Sequence, residues 1–137
     1  MRLKIVKCVL VVAACVGLYC CMFDRWHTIY HARQVAAMSQ IENFIGALAA
    51  YHTDVGSFPT TDEWLEALRT NPGHAGWNGP YLPKDVPRDP WGTPYAYIYP
   101  GTHGSAPDIV SYGADRQPGG EGINSDIVSW RPAQHYP

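Results

Sequence analysis

This 137-residue chain has no cysteine after residue 21, no proline before residue 56 and little net charge. Each of these features excludes a class of structure or function. The four cysteines all lie at or before residue 21, so no disulfide can form within the remainder of the chain. The formal net charge is only −2, and the one basic cluster precedes residue 8, so the composition does not favour nucleic-acid binding. All 12 prolines and 11 of the 13 glycines follow residue 55. By composition, the chain therefore divides into a proline-free first part and a loop-rich second part.

The proline-free part begins with Arg2, Lys4 and Lys7, followed by an uncharged apolar run over residues 8–23. Counted from residue 5, with Lys7 near its edge, the run approaches the roughly 20 residues that a membrane-spanning helix needs. This pattern predicts a membrane anchor within residues 1–23, spanning at 5–23. Because basic residues favour the cytoplasmic side, the N-terminus is expected in the cytoplasm and residues 24–137 outside it.

A lipoprotein signal is the competing interpretation of the same run. The segment Val12-Ala13-Ala14-Cys15 has the shape of a lipidation site, with Cys15 as the residue modified. Against it, the residues after Cys15 remain apolar, where a polar tether would be expected. A buried helix of a soluble domain is a third alternative. In the two leading interpretations, residues 24–137 are exported.

The exported part begins with a helical pattern over residues 24–55. Its apolar stripe is Val35, Met38, Ile41, Ile45 and Leu48, at steps of three and four residues. No proline or glycine separates it from the membrane segment, so one continuous helix is predicted.

Shorter elements are expected within residues 56–137. Thr60 and Glu63 have the spacing of a capping box, which predicts a second, short helix beginning there. Residues 95–99, 108–112 and 126–130 are rich in aromatic and β-branched residues and predict three strands. The fold class is therefore α+β: a long helix packed on a small antiparallel sheet with long ordered loops.

The glycine-rich segment 112–126 is the candidate site of this chain. Asp115 and Asp126 bracket it, and Glu121, Asn124 and Ser125 add further side-chain oxygens. Calcium takes six to eight oxygen ligands in flexible geometry, whereas zinc prefers Cys and His, which the segment lacks. From these residues alone, a calcium loop and a solvated surface loop are equally acceptable interpretations.

No catalytic motif accompanies this segment, which favours a non-enzymatic protein. The sequence contains no Gly-x-Ser-x-Gly, His-Glu-x-x-His or phosphate-binding glycine loop. His27 and His31 stand four residues apart on the predicted helix, but without a third ligand nearby they are interpreted as exposed helix residues.

Several motifs in fixed order resemble those of one family, the major pseudopilins of type II secretion systems, also called GspG. The resemblance covers roughly residues 33–130. It implies a pilin-like fold and a structural, non-enzymatic subunit that stacks with copies of itself, and with other secretion-system subunits, into a periplasmic pseudopilus. That filament is thought to push folded proteins across the outer membrane. The motifs are the helix over 35–51, the segment 54–61, Trp77-Asn78-Gly79-Pro80-Tyr81-Leu82, Asp89-Pro90-Trp91-Gly92-Thr93-Pro94-Tyr95, Pro100-Gly101-Thr102-His103-Gly104 and the segment 111–130.

The same resemblance implies calcium as a bound cofactor in the loop before the last strand. Carried over residue by residue, its ligands fall on Asp115, Asp126, Tyr112 through its carbonyl, and Ser125. Where the family usually has glycine after the first aspartate, this chain has Arg116. Its positive charge would weaken the binding of a nearby cation unless the side chain points away.

The N-terminus departs from the family pattern. Family members carry a Gly-Phe-Thr-Leu-Ile-Glu cleavage site, and no such segment, nor any glutamate, occurs in the apolar run here. The alternative function is therefore an uncleaved or lipidated, membrane-anchored periplasmic interaction module with a pseudopilin-type domain.

Overall fold

The computed structural model describes the backbone of residues 2–131, and the side chains of residues 22, 25 and 28–131. A single helix, α1, runs over Arg2–Val55, which confirms the predicted continuous helix. It ends at Gly56, whose N–H donates to the carbonyl of His52 at 2.8 Å and whose φ is +86°. Glycine adopts this left-handed conformation without a steric penalty, so it is suited to closing the last turn.

The chain forms two compact units, Met1–Ala32 and Arg33–Pro137. Among the residues with described side chains, no helix has both the length and the apolar character to cross a membrane. The predicted anchor at 5–23 and the lipidation candidate Cys15 lie outside those residues, apart from Met22. The boundary predicted at residue 23 stays a prediction.

In the second unit, the buried face of α1 differs from the predicted stripe. Ile41 and Leu48 are buried as expected, but Val35 is 65% exposed and Ile45 is 44% exposed. The prediction considered aliphatic residues alone. The buried face of α1 also includes small and aromatic residues, at the same spacing of three and four. The buried positions are Gln34, Ala37, Ile41, Phe44, Ala47, Leu48 and Tyr51.

A three-stranded antiparallel sheet provides the other side of the core. Strands β1 (Ala96–Ile98), β2 (Asp108–Ser111) and β3 (Ile127–Val128) pair in the order β1-β2-β3. Each lies within its predicted range of 95–99, 108–112 or 126–130 and is one to three residues shorter. Tyr97 pairs with Ile109, and Ser111 pairs with Ile127. The buried cluster joins the helix, the sheet and the loops: Ala37, Ile41, Phe44, Ala47, Leu48, Tyr51, Leu65, Ala67, Leu68, Leu82, Tyr95, Tyr97, Ile109 and Ile127.

The predicted capping box forms, but the helix after it is a single 3-10 turn. The N–H of Thr60 donates to Glu63 Oε2 at 2.8 Å, and the N–H of Glu63 donates to Thr60 Oγ1 at 3.3 Å. Trp64 then adopts a φ of +50°, and the 3-10 helix spans Leu65–Leu68. The left-handed residue interrupts regular helix between the cap and the turn, so the α-helix expected here does not form.

Large aromatic residues anchor the long loops through hydrogen bonds of their polar atoms. The indole N–H of Trp77 donates to the carbonyl of Ala67 at 2.9 Å, and that of Trp64 donates to the carbonyl of Tyr95 at 3.2 Å. The hydroxyl of Tyr97 donates to the carbonyl of Pro59 at 2.8 Å. These three side chains bond backbone carbonyls far away in sequence, so they fix the loops in place.

Candidate metal site

The segment between β2 and β3 folds back on itself through two glycines. Gly113 has a φ of +63°, and a Cβ built there would lie 2.9 Å from the carbonyl oxygen of Ser125. Gly120 has a φ of +86°, and a Cβ there would clash with the carbonyl oxygen of Asn124. Neither position therefore has room for a side chain. The two ends of the loop approach closely, with backbone oxygens of residues 124 and 125 on the inner side.

Asp126 has its two carboxylate oxygens in different surroundings. Its Oδ2 accepts a hydrogen bond from the N–H of Gly119 at 2.8 Å, which ties the far side of the loop to the start of β3. Its Oδ1 is buried and has no hydrogen-bond partner. A buried carboxylate oxygen without a partner is costly, and a bound cation would remove that cost. This orphaned oxygen fits a cation site.

Asp115 is placed at the other end of the loop, and it is exposed. Its Oδ1 accepts a hydrogen bond from the N–H of Gln117 at 3.1 Å, so it also shapes the turn that follows. Tyr112 lies directly after β2, and Ser125 follows a 3-10 turn at Gly122–Asn124 that sequence reasoning did not predict. The folded loop thus brings residues 113 and 125 together and connects Asp126 to residue 119.

The donor chemistry of this loop is all oxygen. Among the side chains that the structure describes, no three His, Cys, Asp or Glu residues form a metal-binding group. The loop offers a cation carboxylate, amide and backbone oxygens. Such a mixed set suits calcium, which accepts carbonyl ligands, better than zinc.

The Arg116 guanidinium bonds an acceptor outside the loop. It has a φ of +62°, and its Nη2 donates to the carbonyl of Trp91 at 3.0 Å. It forms no ion pair with Asp115 or Asp126, both of which are described. The partner lies 25 residues away in sequence, so periodicity and local motifs gave no signal for this contact.

The turn that carries Trp91 is held by a buried carboxylate, which sequence reasoning also missed. Asp89 Oδ1 accepts from the N–H groups of Trp91 at 3.0 Å and Thr93 at 2.7 Å. Asp89 Oδ2 accepts from the hydroxyl of Ser111 at 2.6 Å. The Asp-Pro-x-Gly pattern is typical of turns, but nothing local indicates its attachment to β2.

Comparisons with known proteins agree with this architecture. The family model for protein G of the type II secretion system matches residues 26–130. Core protein G of Vibrio cholerae is 43% identical over 103 residues, covering 72% of this chain and 69% of that relative. Core protein G of Pseudomonas aeruginosa is 39% identical over 103 residues, covering 72% of each chain.

A solved structure gives the corresponding spatial match. The crystal structure of the major pseudopilin of enterohaemorrhagic Escherichia coli superposes with a TM-score of 0.64 and 29% sequence identity, covering 77% of this chain and 92% of that one. The fold class is confirmed: a long helix on a three-stranded antiparallel sheet, of the pilin-like kind. The match over 105 residues places the chain more narrowly: it belongs to the type II secretion system protein G family.

Proposed function

We propose that this chain is a structural subunit of a type II secretion pseudopilus and supports export of folded proteins across the outer membrane. The observation that carries the proposal is the combined match of residues 26–130 to the protein G family and of the fold to a major pseudopilin. Its role is mechanical rather than catalytic, through assembly with copies of itself and with other subunits of the secretion system.

Assembly requires exposed surface on the helix, and α1 offers apolar side chains there. Val35 is 65% exposed and Ile45 is 44% exposed, although both are large and apolar. Water-exposed apolar side chains gain free energy when another subunit covers them. This exposure supports self-association along the helix.

Cross-linking in intact cells tests self-association. Val35→Glu and Ile45→Glu should each reduce cross-linked multimers of the full chain several-fold, because a charge on a covered surface must be desolvated. Asn43→Glu is the matched control for Ile45→Glu, since Asn43 is exposed and lies two residues from Ile45, about 200° around the helix. Equal multimer yields in all four proteins would contradict the proposal.

The same proposal places residues 5–23 in the inner membrane as a single span, with the N-terminus cytoplasmic and residues 24–137 periplasmic. The basic residues before the apolar run support this orientation. Protease added to spheroplasts should digest the domain and leave a small membrane-bound fragment. Full protection of the domain would overturn the orientation.

The proposal also assigns calcium to the loop 112–126, held by the carboxylates of Asp115 and Asp126, the carbonyl of Tyr112 and an oxygen of Ser125. The orphaned, buried Oδ1 of Asp126 supports it, as does the close approach of residues 113 and 125. Bound calcium would neutralise the two carboxylates and link the two ends of the loop, holding β3 against β2.

Thermal unfolding of the full chain tests the metal. A ligand that binds only the folded state stabilises it by about 2.7 kcal/mol at 100 times its Kd, so calcium should raise the Tm by several degrees over chelator. Asp126→Ala and Asp115→Ala should abolish that rise. Asp85→Ala is the control, because the Asp85 side chain is 96% exposed and lies outside the loop. Identical melting curves with calcium and chelator would exclude the site.

A further inference from the structure

Arg116 stands inside the candidate calcium loop, directly after Asp115, yet its side chain leaves the loop. Its guanidinium Nη2 donates to the carbonyl of Trp91, at 3.0 Å. Its backbone has a φ of +62°, a region that residues with a side chain seldom adopt. A contact outside the loop therefore accompanies an unfavoured backbone conformation within it.

The acceptor of this bond is on a rigid turn. The Asp89 carboxylate accepts from the N–H groups of Trp91 and Thr93, and the backbone N–H of Gly92 donates to the Asp89 carbonyl at 2.9 Å. Asp89 is also buried. Because these three bonds hold the turn, the Trp91 carbonyl has a defined position from which it can accept a hydrogen bond.

The turn is joined to the loop at a second point. The hydroxyl of Ser111 donates to Asp89 Oδ2 at 2.6 Å, and the N–H of Gly113 donates to Ser111 Oγ at 3.4 Å. These bonds flank Tyr112, the carbonyl ligand in the proposed site. The turn thus contacts the loop on one side through Ser111 and on the other through Arg116, and it frames the first limb of the loop, residues 112–116.

We propose that Arg116 is a positioning residue that clamps the first limb of the loop to the 89–94 turn and so preorganises it for calcium. This inference rests on the calcium site proposed above. Without the clamp, metal binding would have to order the limb at the cost of its backbone freedom, and affinity would fall accordingly. Arg116 touches no metal; it acts by holding Asp115 and Tyr112 in place.

Charge alone makes the opposite prediction, which makes the proposal testable. A cation beside Asp115 repels calcium, so its removal would tighten binding if repulsion were the main effect of Arg116. The clamp requires that its removal weakens binding. Alanine, like arginine, disfavours a positive φ. Arg116→Ala therefore removes the contact and the charge but leaves the unfavourable backbone conformation in place.

Calcium titration of the full chain by calorimetry separates these effects. Arg116→Ala should raise the Kd about tenfold, in line with the loss of one charged hydrogen bond, and Arg116→Lys should restore most of the affinity. Arg88→Ala is the matched control, because Arg88 is exposed and donates to Gly92 in the same turn, at 3.0 Å. It removes an equal charge near the loop and should leave the Kd unchanged.

Amide hydrogen exchange in chelator provides a readout that does not require metal. In Arg116→Ala, exchange over residues 112–117 should accelerate about tenfold, while β2 and the 89–94 turn remain unchanged. An unchanged or lower Kd, or unchanged exchange in this limb, would overturn the clamp. If the unaltered chain binds no calcium, the metal site fails, and the exchange result alone decides whether Arg116 holds the limb.

Discussion

The imidazole of His103 lies flat against the indole of Trp130, with ring centroids 3.7 Å apart and ring planes 4° from parallel. The same imidazole has its Nδ1 2.9 Å from Oδ2 of Asp108, a carboxylate that is only 4% exposed. His103 belongs to the connection between β1 and β2, whereas Trp130 follows β3. The pair therefore links the β1–β2 connection to the chain after β3, which lie at the same end of the sheet, and it places an ionisable group against a buried carboxylate.

This arrangement predicts loss of stability in acid. Burial raises the pKa of Asp108, but the hydrogen bonds from His103 and Thr102 outweigh it and hold the pKa below its ordinary value of 3.8. A carboxyl whose pKa is lower when folded contributes stability above its unfolded pKa, and that contribution disappears as the pH falls through the folded pKa. The free energy of unfolding should therefore decline steadily below about pH 4.

The measurement is denaturant unfolding between pH 7 and pH 3. Asp108→Asn, which does not titrate, should be less stable at neutral pH but show a shallower decline in acid. The pKa of Glu63 is also lowered, chiefly by the backbone N–H of Thr60. Glu63→Gln should therefore independently reduce the decline in the free energy of unfolding as the pH falls. If the free energy of unfolding of Asp108→Asn fell with pH in parallel with that of the unaltered chain, Asp108 would not be a source of the acid sensitivity.

The buried carboxylate of Asp89 should be among the most sensitive polar groups in the domain. Asp89→Ala leaves the N–H groups of Trp91 and Thr93 and the hydroxyl of Ser111 without their acceptor. An unsatisfied buried donor costs about 1–3 kcal/mol. Because the Ser111 hydroxyl is buried and the two N–H groups are partly buried, a loss of about 2 kcal/mol or more is expected in chemical denaturation. Asp85→Ala, which removes an exposed carboxylate 3.6 Å from Arg69, should cost less than ~1 kcal/mol. Equal losses would mean that the hydrogen bonds of Asp89 contribute little.

The corrected helix face makes a further prediction about stability. Phe44 is fully buried and packs edge-to-face on Tyr95, with ring centroids 5.1 Å apart. Phe44→Ala should lower the free energy of unfolding by about 3–5 kcal/mol, because it leaves a cavity between helix and sheet. Val35→Ala, on the exposed side, should change it by about 0.5 kcal/mol or less. If Val35→Ala lowered the free energy of unfolding of the dissociated protein as much as Phe44→Ala, Val35 would belong to the buried face, as first predicted from the sequence.

Local signals predicted the local structure well. The uninterrupted helix, the three strand positions and the reciprocal bonds of Thr60 and Glu63 all depend on residues close together in sequence, and they appear in the structure. The family resemblance, carried by several short motifs, is likewise confirmed by the match over residues 26–130.

Long-range contacts were beyond the reach of sequence patterns. The choice between Val35 and Ala37 for burial depends on where the sheet packs, not on which side chain is more apolar. Arg116 reaches Trp91, and Ser111 reaches Asp89, across 25 and 22 residues, and neither partner is marked by periodicity. The orphaned Oδ1 of Asp126 is visible only once the loop is folded. The calcium ligands themselves stay a prediction.

Secretion in the native host tests the central claim most directly. Deletion of the gene should leave folded substrate proteins of the secretion system in the periplasm, and plasmid-borne expression of this chain should return them to the medium. Ile45→Glu, which should fold but assemble poorly, should fail to restore secretion, whereas Asn43→Glu should restore it. Normal secretion by the deletion strain, with no periplasmic accumulation, would contradict the assignment of this chain as a pseudopilus subunit.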